Sequence, residues 1–282
     1  MKTRVETTAR LVAEGRWDID YHMPPTLIKE FPDGIVKRVS EFAVVSKTKR
    51  DPTKRPDEKF QYIDIASVDV VTGTIANPQE ITGAEAPSRA RKVVRAFDII
   101  ISTCRPTRGA IAVVPEELHG EICSTGFSVI RTKPGVNPFY LHFALRLAST
   151  LEQFRKWSTG SSYPAILDDD VLKTQIPCPD ATGQDNLART LRSALKSRAT
   201  AVARANAEWE SAFDGIVNAV KSNNVNPTSN SQPTLEEVYS IEQVQERLKS
   251  LLPPTENGDS SDELNGSLFD VLDEPAEEWD SF

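Results

Sequence analysis

The sequence contains few of the residues from which disulfide, metal and catalytic sites are built. It has 3 cysteines and 3 histidines in 282 residues. Cys104, Cys123 and Cys178 are too widely and irregularly spaced for a disulfide framework or a paired metal-ligand motif, which favours reduced thiols. No apolar run approaches the roughly 20 residues of a membrane-spanning helix, and the polar N-terminus has no apolar segment typical of a secretion signal. These absences predict a cytoplasmic protein without a metal site.

The motifs of common enzyme classes are also missing. The chain has no glycine-rich phosphate loop, no Gly-x-Ser-x-Gly elbow and no His-Glu-x-x-His. The run NPFY (137–140) is similar to the element with which adenine methyltransferases hold a flipped base, but it lacks the second proline, and no glycine-rich S-adenosylmethionine loop precedes it. A proline at a helix start explains it better, and the three acids at 168–170 suit another helix start. The sequence therefore predicts no catalytic residue and no cofactor held by this chain.

Charge is distributed unevenly along the chain. The 33 Lys and Arg residues face 41 Asp and Glu residues, a net charge of −8. Residues 255–282 carry ten acids and no base, which leaves 31 acids against all 33 bases in residues 1–254, a net charge of +2. Nucleic-acid binders usually carry a basic excess, and the acidity of the whole chain does not exclude one here, because it comes from the tail.

The first 180 residues show short apolar or alternating segments separated by turns. This pattern predicts a mixed α+β domain with many short strands. Strands are expected within residues 35–45, 60–70, 97–102, 110–115, 122–131 and 176–179. Helices are expected at 3–16, 139–149 and 167–174.

After residue 180 the pattern becomes helical. Residues 181–222 predict one long, coiled-coil-like helix, whose apolar stripe needs a partner helix in this chain or in a second protomer. The stripe consists of Leu187, Leu191, Leu195, Val202, Trp209, Phe213, Ile216 and Val220. A Ser/Asn/Pro linker (223–234) and a second amphipathic helix (235–252) follow. The composition of residues 253–282 predicts an acidic, disordered tail.

Basic residues concentrate around two loops. Residues 85–110 have a local net charge of +4, and Arg105 and Arg108 lie in a loop directly after a strand. Forked guanidinium groups suit phosphates and guanine edges, and the polar loop at 158–164 supplies small donors and one aromatic ring. The candidate DNA-binding residues are Arg89, Arg91, Lys92, Arg95, Arg105, Arg108, Ser161, Ser162, Tyr163, Lys47, Lys49, Arg50 and Lys54. Among them, Arg105, Arg108 and the 160–164 loop are predicted to contact base edges or a groove, and the other bases to hold phosphates.

A family resemblance rests on the same segments. Residues 35–220 resemble the target-recognition domain and spacer helix of type I restriction enzyme specificity subunits, in consistent order. The segments that carry the resemblance are YIDIASV (62–68), AR (90–91), FDIIIS (97–102), IAVVP (111–115), ICSTGF (122–127), GSSYP (160–164) and IPCP (176–179), followed by the helix at 184–221.

The resemblance implies a non-catalytic subunit that reads double-stranded DNA and docks a DNA adenine methyltransferase subunit. A restriction and translocase subunit would join the complex, and S-adenosylmethionine, ATP and Mg²⁺ would belong to those partners. The usual chain of the family carries two recognition domains and two spacer helices, whereas this sequence shows one of each. It therefore resembles a half-subunit, which either pairs with a second copy through the long helix or serves a system that needs one half-site. A two-fold dimer would predict a palindromic bipartite target.

A hypothesis of another class remains open at this point. The acidic tail with its terminal aromatic residues suggests a protein-interaction or regulatory component that uses a recognition-like fold to bind a partner rather than DNA. The same tail is also able to compete with DNA for the basic loops, or to serve solubility alone.

Overall fold

The computed structural model describes residues 5–17, 19–160 and 162–222. The predicted linker, the helix at 235–252, the acidic tail and Ser161 lie outside the described residues. The chain divides into two units, Met1–Ser211 and Ala212–Phe282. All of the described strands belong to the first unit, and the described part of the second is the end of a helix.

The described chain contains seven α-helices and twelve short strands. The helices are α1 (Thr8–Glu14), α2 (Ile19–His22), α3 (Val39–Phe42), α4 (Pro138–Leu145), α5 (Ala148–Trp157), α6 (Asp168–Lys173) and α7 (Ala181–Lys221). The strands are β1 (Val36–Arg38), β2 (Ala43–Val45), β3 (Lys59–Ile63), β4 (Val68–Asp69), β5 (Thr74–Ile75), β6 (Gln79–Thr82), β7 (Ala90–Val93), β8 (Ile99–Ser102), β9 (Ile111–Val113), β10 (Ile122–Ser124), β11 (Phe127–Thr132) and β12 (Gln175–Pro177).

Two four-stranded sheets form the centre of the first unit. One has the strand order β6-β3-β10-β7, with β3 and β10 parallel and the other pairs antiparallel. The other has the order β2-β11-β8-β9 and is antiparallel throughout. Two small antiparallel pairs, β1-β12 and β4-β5, complete the strands.

Alternation along β8 explains how the layers are held together. Side chains of successive strand residues point to opposite faces. Ile99 and Ile101 pack into a core shared with α3, α4, α5 and α6, whereas Ile100 packs into the core that contains Ile63 and Cys123 from the other sheet. All three isoleucines are fully buried. The second sheet is therefore covered by helices on one face and by the first sheet on the other.

The mixed α+β class predicted from the sequence is confirmed, and several element boundaries differ from the prediction. The segment at 35–45 contains two strands separated by α3, and the segment at 122–131 contains two strands separated by a turn at Gly126. The strand expected over 60–70 ends at Ile63, because Asp64 accepts hydrogen bonds from the backbone amide and hydroxyl of Ser67 and closes a turn. The helix expected at 139–149 is divided between α4 and α5.

Helix α7 is 41 residues long and begins against the sheets and helices of the first unit. Gln184 and Ala188 on its first turns are buried. The Gln184 side chain accepts a hydrogen bond from the amide of Asn137 at 3.1 Å, and the Asn137 side chain donates to Asp185 at 2.7 Å. The same Asn137 caps α4 through its Oδ1 atom, so the predicted helix start at Pro138 is confirmed.

The three acids at 168–170 lie at a helix start, as predicted. The acids at 168–170 begin α6, where Asp170 accepts from the amide of Leu167 at 2.7 Å and pairs with Lys173. Among the described residues, no group of three or more His, Cys, Asp or Glu side chains is placed to hold a metal ion. The helices within the described ranges are too short or too polar to cross a membrane.

Candidate nucleic-acid interface

The two loops singled out from the sequence lie side by side. We call residues 103–109, after β8, the arginine loop, and residues 159–165, after α5, the tyrosine loop. Cys104 and Ala165 form an isolated antiparallel bridge between them. The amide of Arg105 donates to the carbonyl of Pro164 at 2.7 Å, and the amide of Ile166 donates to the carbonyl of Thr103 at 2.9 Å. The backbone therefore joins the loops into one surface.

Arg105 and Tyr163 form the centre of this surface. The Arg105 guanidinium carbon lies 4.8 Å from the centroid of the Tyr163 ring, a cation–π contact. One of its nitrogens also donates to the carbonyl of Ser162 at 3.5 Å. Tyr163 is 70% exposed, so the ring orients the guanidinium without removing it from solvent. An arginine fixed in this way is suited to bidentate readout of a base edge.

The backbone of both loops is held in unusual conformations. Arg105 has a φ of +47°, in the left-handed region that residues other than glycine rarely adopt. Gly160 has a φ of +94°, and a Cβ atom there would lie 3.0 Å from the carbonyl oxygen of Tyr163. Glycine adopts a positive φ without strain, whereas a residue such as Arg105 does so at a cost, and strained residues cluster at functional sites where the surrounding structure fixes them. Here the fixing contact for Arg105 is its hydrogen bond to Pro164.

Arg108 ends the short 3-10 turn Pro106–Arg108, which packs against α5. Pro106 is buried, whereas Arg108 is exposed. The amide of Arg108 donates to the carbonyl of the half-buried Arg105 at 3.0 Å, so the turn keeps the backbones of the two arginines close together.

Other loops meet at the same end of the sheets, which we call the loop end. The amide of Thr103 donates to the carbonyl of Gly126 at 2.8 Å, which links the arginine loop to the β10–β11 turn. The amide of Thr125 in that turn donates to the carbonyl of Arg89 at 2.8 Å. Arg89 is exposed, and these backbone links place it at the same end of the sheets as the arginine loop.

The charged loop at 46–59 borders β7. Lys49 and Lys92 form an isolated antiparallel bridge, and the amide of Arg50 donates to the carbonyl of Arg91 at 2.9 Å. Lys47, Lys49 and Lys54 are exposed. Lys49 pairs with the edge strand β7, and exposed cations of this kind are suited to a phosphate backbone.

Two of the predicted phosphate ligands, Lys92 and Arg91, have contacts within the protein. The Lys92 ammonium donates to the carbonyl of Phe127 at 2.6 Å, and its side chain is 15% exposed. Arg91 donates to the carbonyl of Ala90 and lies 3.5 Å from a carboxylate oxygen of Asp51. Because these contacts use the charges internally, the geometry favours Arg89 and the exposed lysines as the phosphate ligands.

Arg95 is placed apart from the other arginines. It follows β7 and precedes β8, whereas Arg105 follows β8, so a strand of four residues, about 13 Å, separates the two ends. We call the end that contains Arg95 the far end. There Arg131 forms two hydrogen bonds with Asp98, at 2.8 and 2.7 Å. The side-chain hydrogen bond to Asp98 raises the pKa of Arg131.

Thr103 and Gly126, which join the loops, were not among the residues predicted from the sequence. The Thr103 hydroxyl donates to the carbonyl of Gly126 at 2.8 Å and repeats the link made by its amide. Gly126 allows the close approach of Ile65, whose side chain would lie 3.2 Å from a Cβ atom at that position. The glycine between two strand-like segments was the available signal, since such a glycine often marks a turn or a close backbone approach.

The apolar stripe of α7 is used unevenly. Leu191 and Leu195 are half-buried, and the Arg192 guanidinium lies 4.7 Å from the centroid of the Phe139 ring. The other members of the predicted stripe are exposed: Leu187, Val202, Trp209, Phe213, Ile216 and Val220.

Comparison with known sequences identifies one kind of relative. The chain is 30% identical over 108 residues to the type I restriction enzyme HindI specificity subunit of Haemophilus influenzae, an alignment that covers 36% of this chain and 23% of the relative. No protein-family model matches the chain.

Solved structures agree with this result. The HsdS subunit from Thermoanaerobacter tengcongensis matches with a TM-score of 0.53 and 37% identity, over 70% of this chain and 51% of that chain. A structure described as the basis of complex assembly and conformational transition of the type I R-M system matches with the same score and identity, over 70% and 50%. The chain thus spans about half the length of these solved relatives. These comparisons confirm the resemblance to type I specificity subunits.

Proposed function

We propose that this chain, which resembles type I restriction specificity subunits in sequence and fold, is a non-catalytic subunit that reads the sequence of double-stranded DNA. The observation that carries the proposal is the junction of the arginine and tyrosine loops. In this junction the half-buried Arg105 is stacked on the exposed Tyr163 ring, and Arg108 is exposed in the same loop. A bidentate contact from an arginine or lysine to guanine is the commonest specific contact in the major groove.

Phosphate contacts would come from the cations that border these loops. Arg89 lies at the loop end, Lys49 pairs with the edge strand β7, and Lys47 and Lys54 are exposed in the same charged loop. Such contacts set the orientation of a protein on the duplex and supply affinity without sequence information. In this proposal the two loops therefore read the base sequence, and the neighbouring cations orient the protein on the duplex.

In this proposal the chemistry belongs to partner subunits. A DNA adenine methyltransferase would flip and modify the target base, and a restriction and translocase subunit would act on DNA without the modification. The complex would bring S-adenosylmethionine, ATP and Mg²⁺ through those partners. The exposed apolar residues Val202, Ile216 and Val220 on α7 support pairing with a second copy, which would join two half-sites into a palindromic target.

Selection from a random duplex library tests the proposal. The full-length chain at about 50 mM salt would be incubated with duplexes that contain 20 randomised base pairs, and the bound fraction sequenced over several rounds. The expected result is an enriched motif, present as an inverted repeat if two copies bind together. Enrichment of no motif, with binding that depends on salt alone, would contradict sequence-specific recognition.

A further inference from the structure

The N-terminal segment holds the start of the tyrosine loop. Arg16 lies between α1 and α2, and its two terminal nitrogens donate to the carbonyls of Trp157 and Ser158 at 3.1 and 3.3 Å. Trp157 is the last residue of α5, and Ser158 follows it directly. The last carbonyls of a helix lack partners within the helix and carry partial negative charge. A forked cation is therefore well matched to this position.

Neighbouring groups orient Arg16. The Nε2 atom of His22 donates to the Arg16 carbonyl at 2.7 Å, and His22 is buried. The Arg16 guanidinium also lies 4.5 Å from the centroid of the Tyr21 ring. The ammonium of Lys173 lies 4.6 Å from the Trp157 ring and 5.6 Å from the Tyr21 ring, so it bridges the N-terminal segment and the end of α5.

A second anchor ties the same segment to α5 one turn earlier. The Glu152 carboxylate accepts hydrogen bonds from the amides of Thr26 and Leu27 and from the Thr26 hydroxyl, at 2.7 to 3.1 Å. The same segment also buries one apolar side chain, Ile28, which is 5% exposed. Polar contacts at Arg16, Thr26 and Leu27 tie the segment to the helix from which the tyrosine loop emerges.

The stem of the tyrosine loop begins one residue after the atoms that Arg16 holds. Thr159 and Ala165 exchange two backbone hydrogen bonds, at 2.9 and 2.8 Å. Beyond this stem, Tyr163 meets Arg105. A rotation at Trp157 and Ser158 would displace the stem, and with it the ring on which Arg105 is stacked.

We propose that Arg16 is a positioning residue for sequence recognition: it fixes the direction in which the tyrosine loop leaves α5, and so sets where Arg105 and Tyr163 meet DNA. The inference rests on the proposed function and adds to it a residue that makes no contact with DNA.

Three variants of the full-length chain test the inference. Arg16→Ala removes both hydrogen bonds, and Arg16→Lys keeps the charge but loses the fork. Arg155→Ala is the matched control, because Arg155 is an exposed arginine on α5. It removes the same charge from the same region without releasing the loop.

Hydrogen exchange provides a readout that does not depend on DNA. In Arg16→Ala, the amides of Thr159 and Ala165 should exchange at least about tenfold faster, as the stem opens locally, with a smaller change in Arg16→Lys and none in Arg155→Ala. Unchanged exchange at both amides in Arg16→Ala would overturn the inference.

Library selection provides the second readout. Arg16→Ala should lower the base preference at the positions read by the loops roughly tenfold, with partial recovery in Arg16→Lys and the wild-type motif in Arg155→Ala. The slope of log affinity against log salt should stay unchanged, because Arg16 makes no contact with a phosphate. Loss of a phosphate ligand would reduce the slope by about 1. A reduced slope, or an unchanged motif, would overturn the positioning role. If the wild-type chain selects no motif, the proposed function itself fails, and the inference fails with it.

Discussion

Arginines at the two ends of the antiparallel β2-β11-β8-β9 sheet have different partners and different exposure. At the loop end, Arg105 stacks on the exposed Tyr163 ring and Arg108 is exposed. At the far end, Arg131 is bound by two hydrogen bonds to Asp98, which is 1% exposed. The difference lies in the partner. An arginine that faces a buried carboxylate stabilises the fold, whereas an arginine that rests on an exposed aromatic ring is available for a ligand.

Breaking the far-end pair should have the largest effect on stability. Arg131→Ala leaves the buried Asp98 carboxylate without its guanidinium partner, which should lower the free energy of unfolding by about 3 kcal/mol. Arg95→Ala, an exposed arginine at the same end, should change it by less than about 0.5 kcal/mol. Urea unfolding of both variants measures the difference, and equal values would show that the buried pair does not stabilise this end.

The pH dependence of stability should report on the core beneath α4. Burial lowers the pKa of His142 from 6.5 to about 4, and Arg146 adds to the effect. Because the unfolded chain takes up the proton first as the pH falls, this contribution is intact above pH 6.5 and is lost between 6.5 and about 4. The expected loss is about 3 kcal/mol.

Urea unfolding across this pH range in wild type and His142→Gln tests the prediction. The variant should show a flatter profile, whereas His119→Gln, which changes an exposed histidine, should keep the wild-type profile. Parallel profiles for wild type and His142→Gln would assign the acid sensitivity to other groups.

Lys49 and Lys92 face each other in an isolated bridge, and we expect one to contribute to DNA binding and the other to stability. Lys92→Met loses the hydrogen bond to the Phe127 carbonyl and should destabilise the fold by about 1 to 2 kcal/mol, with an unchanged salt slope of DNA binding. Lys49→Met, at the exposed bridge partner, should leave stability unchanged and reduce the slope by about 1. Affinities at several salt concentrations and an unfolding curve measure both effects, and the reverse result would exchange the two roles.

The two loops could be located from the sequence, but the sequence did not show which of the nearby basic side chains are exposed at the loop end. Period-two alternation and turn residues identified most of the described strands, and the helix that starts at Pro138 was found from the residues alone. The six Lys and Arg residues within 85–110 were interpreted as one basic patch. The structure divides it, because the strand that runs from Ile99 to Ser102 carries the chain from one end of the sheet to the other.

Pairing over long sequence distances explains what could not be predicted. Asp98 and Arg131 are 33 residues apart, and Arg16 and Trp157 are 141 residues apart. Neither pair leaves a local pattern. The short turn at Asp64 and Ser67 was equally hidden, since the alternation of the preceding strand continues through it while the side chains bond locally.

If DNA sequence is read at the loop end, arginine variants at that end should lose base preference and an arginine variant at the far end should not. The preference for the selected duplex over a scrambled duplex should fall about 5- to 100-fold in Arg105→Ala and Arg108→Ala and remain at the wild-type value in Arg95→Ala. Wild-type preference in both loop-end variants, or an equal loss in Arg95→Ala, would contradict the assignment of recognition to the arginine and tyrosine loops.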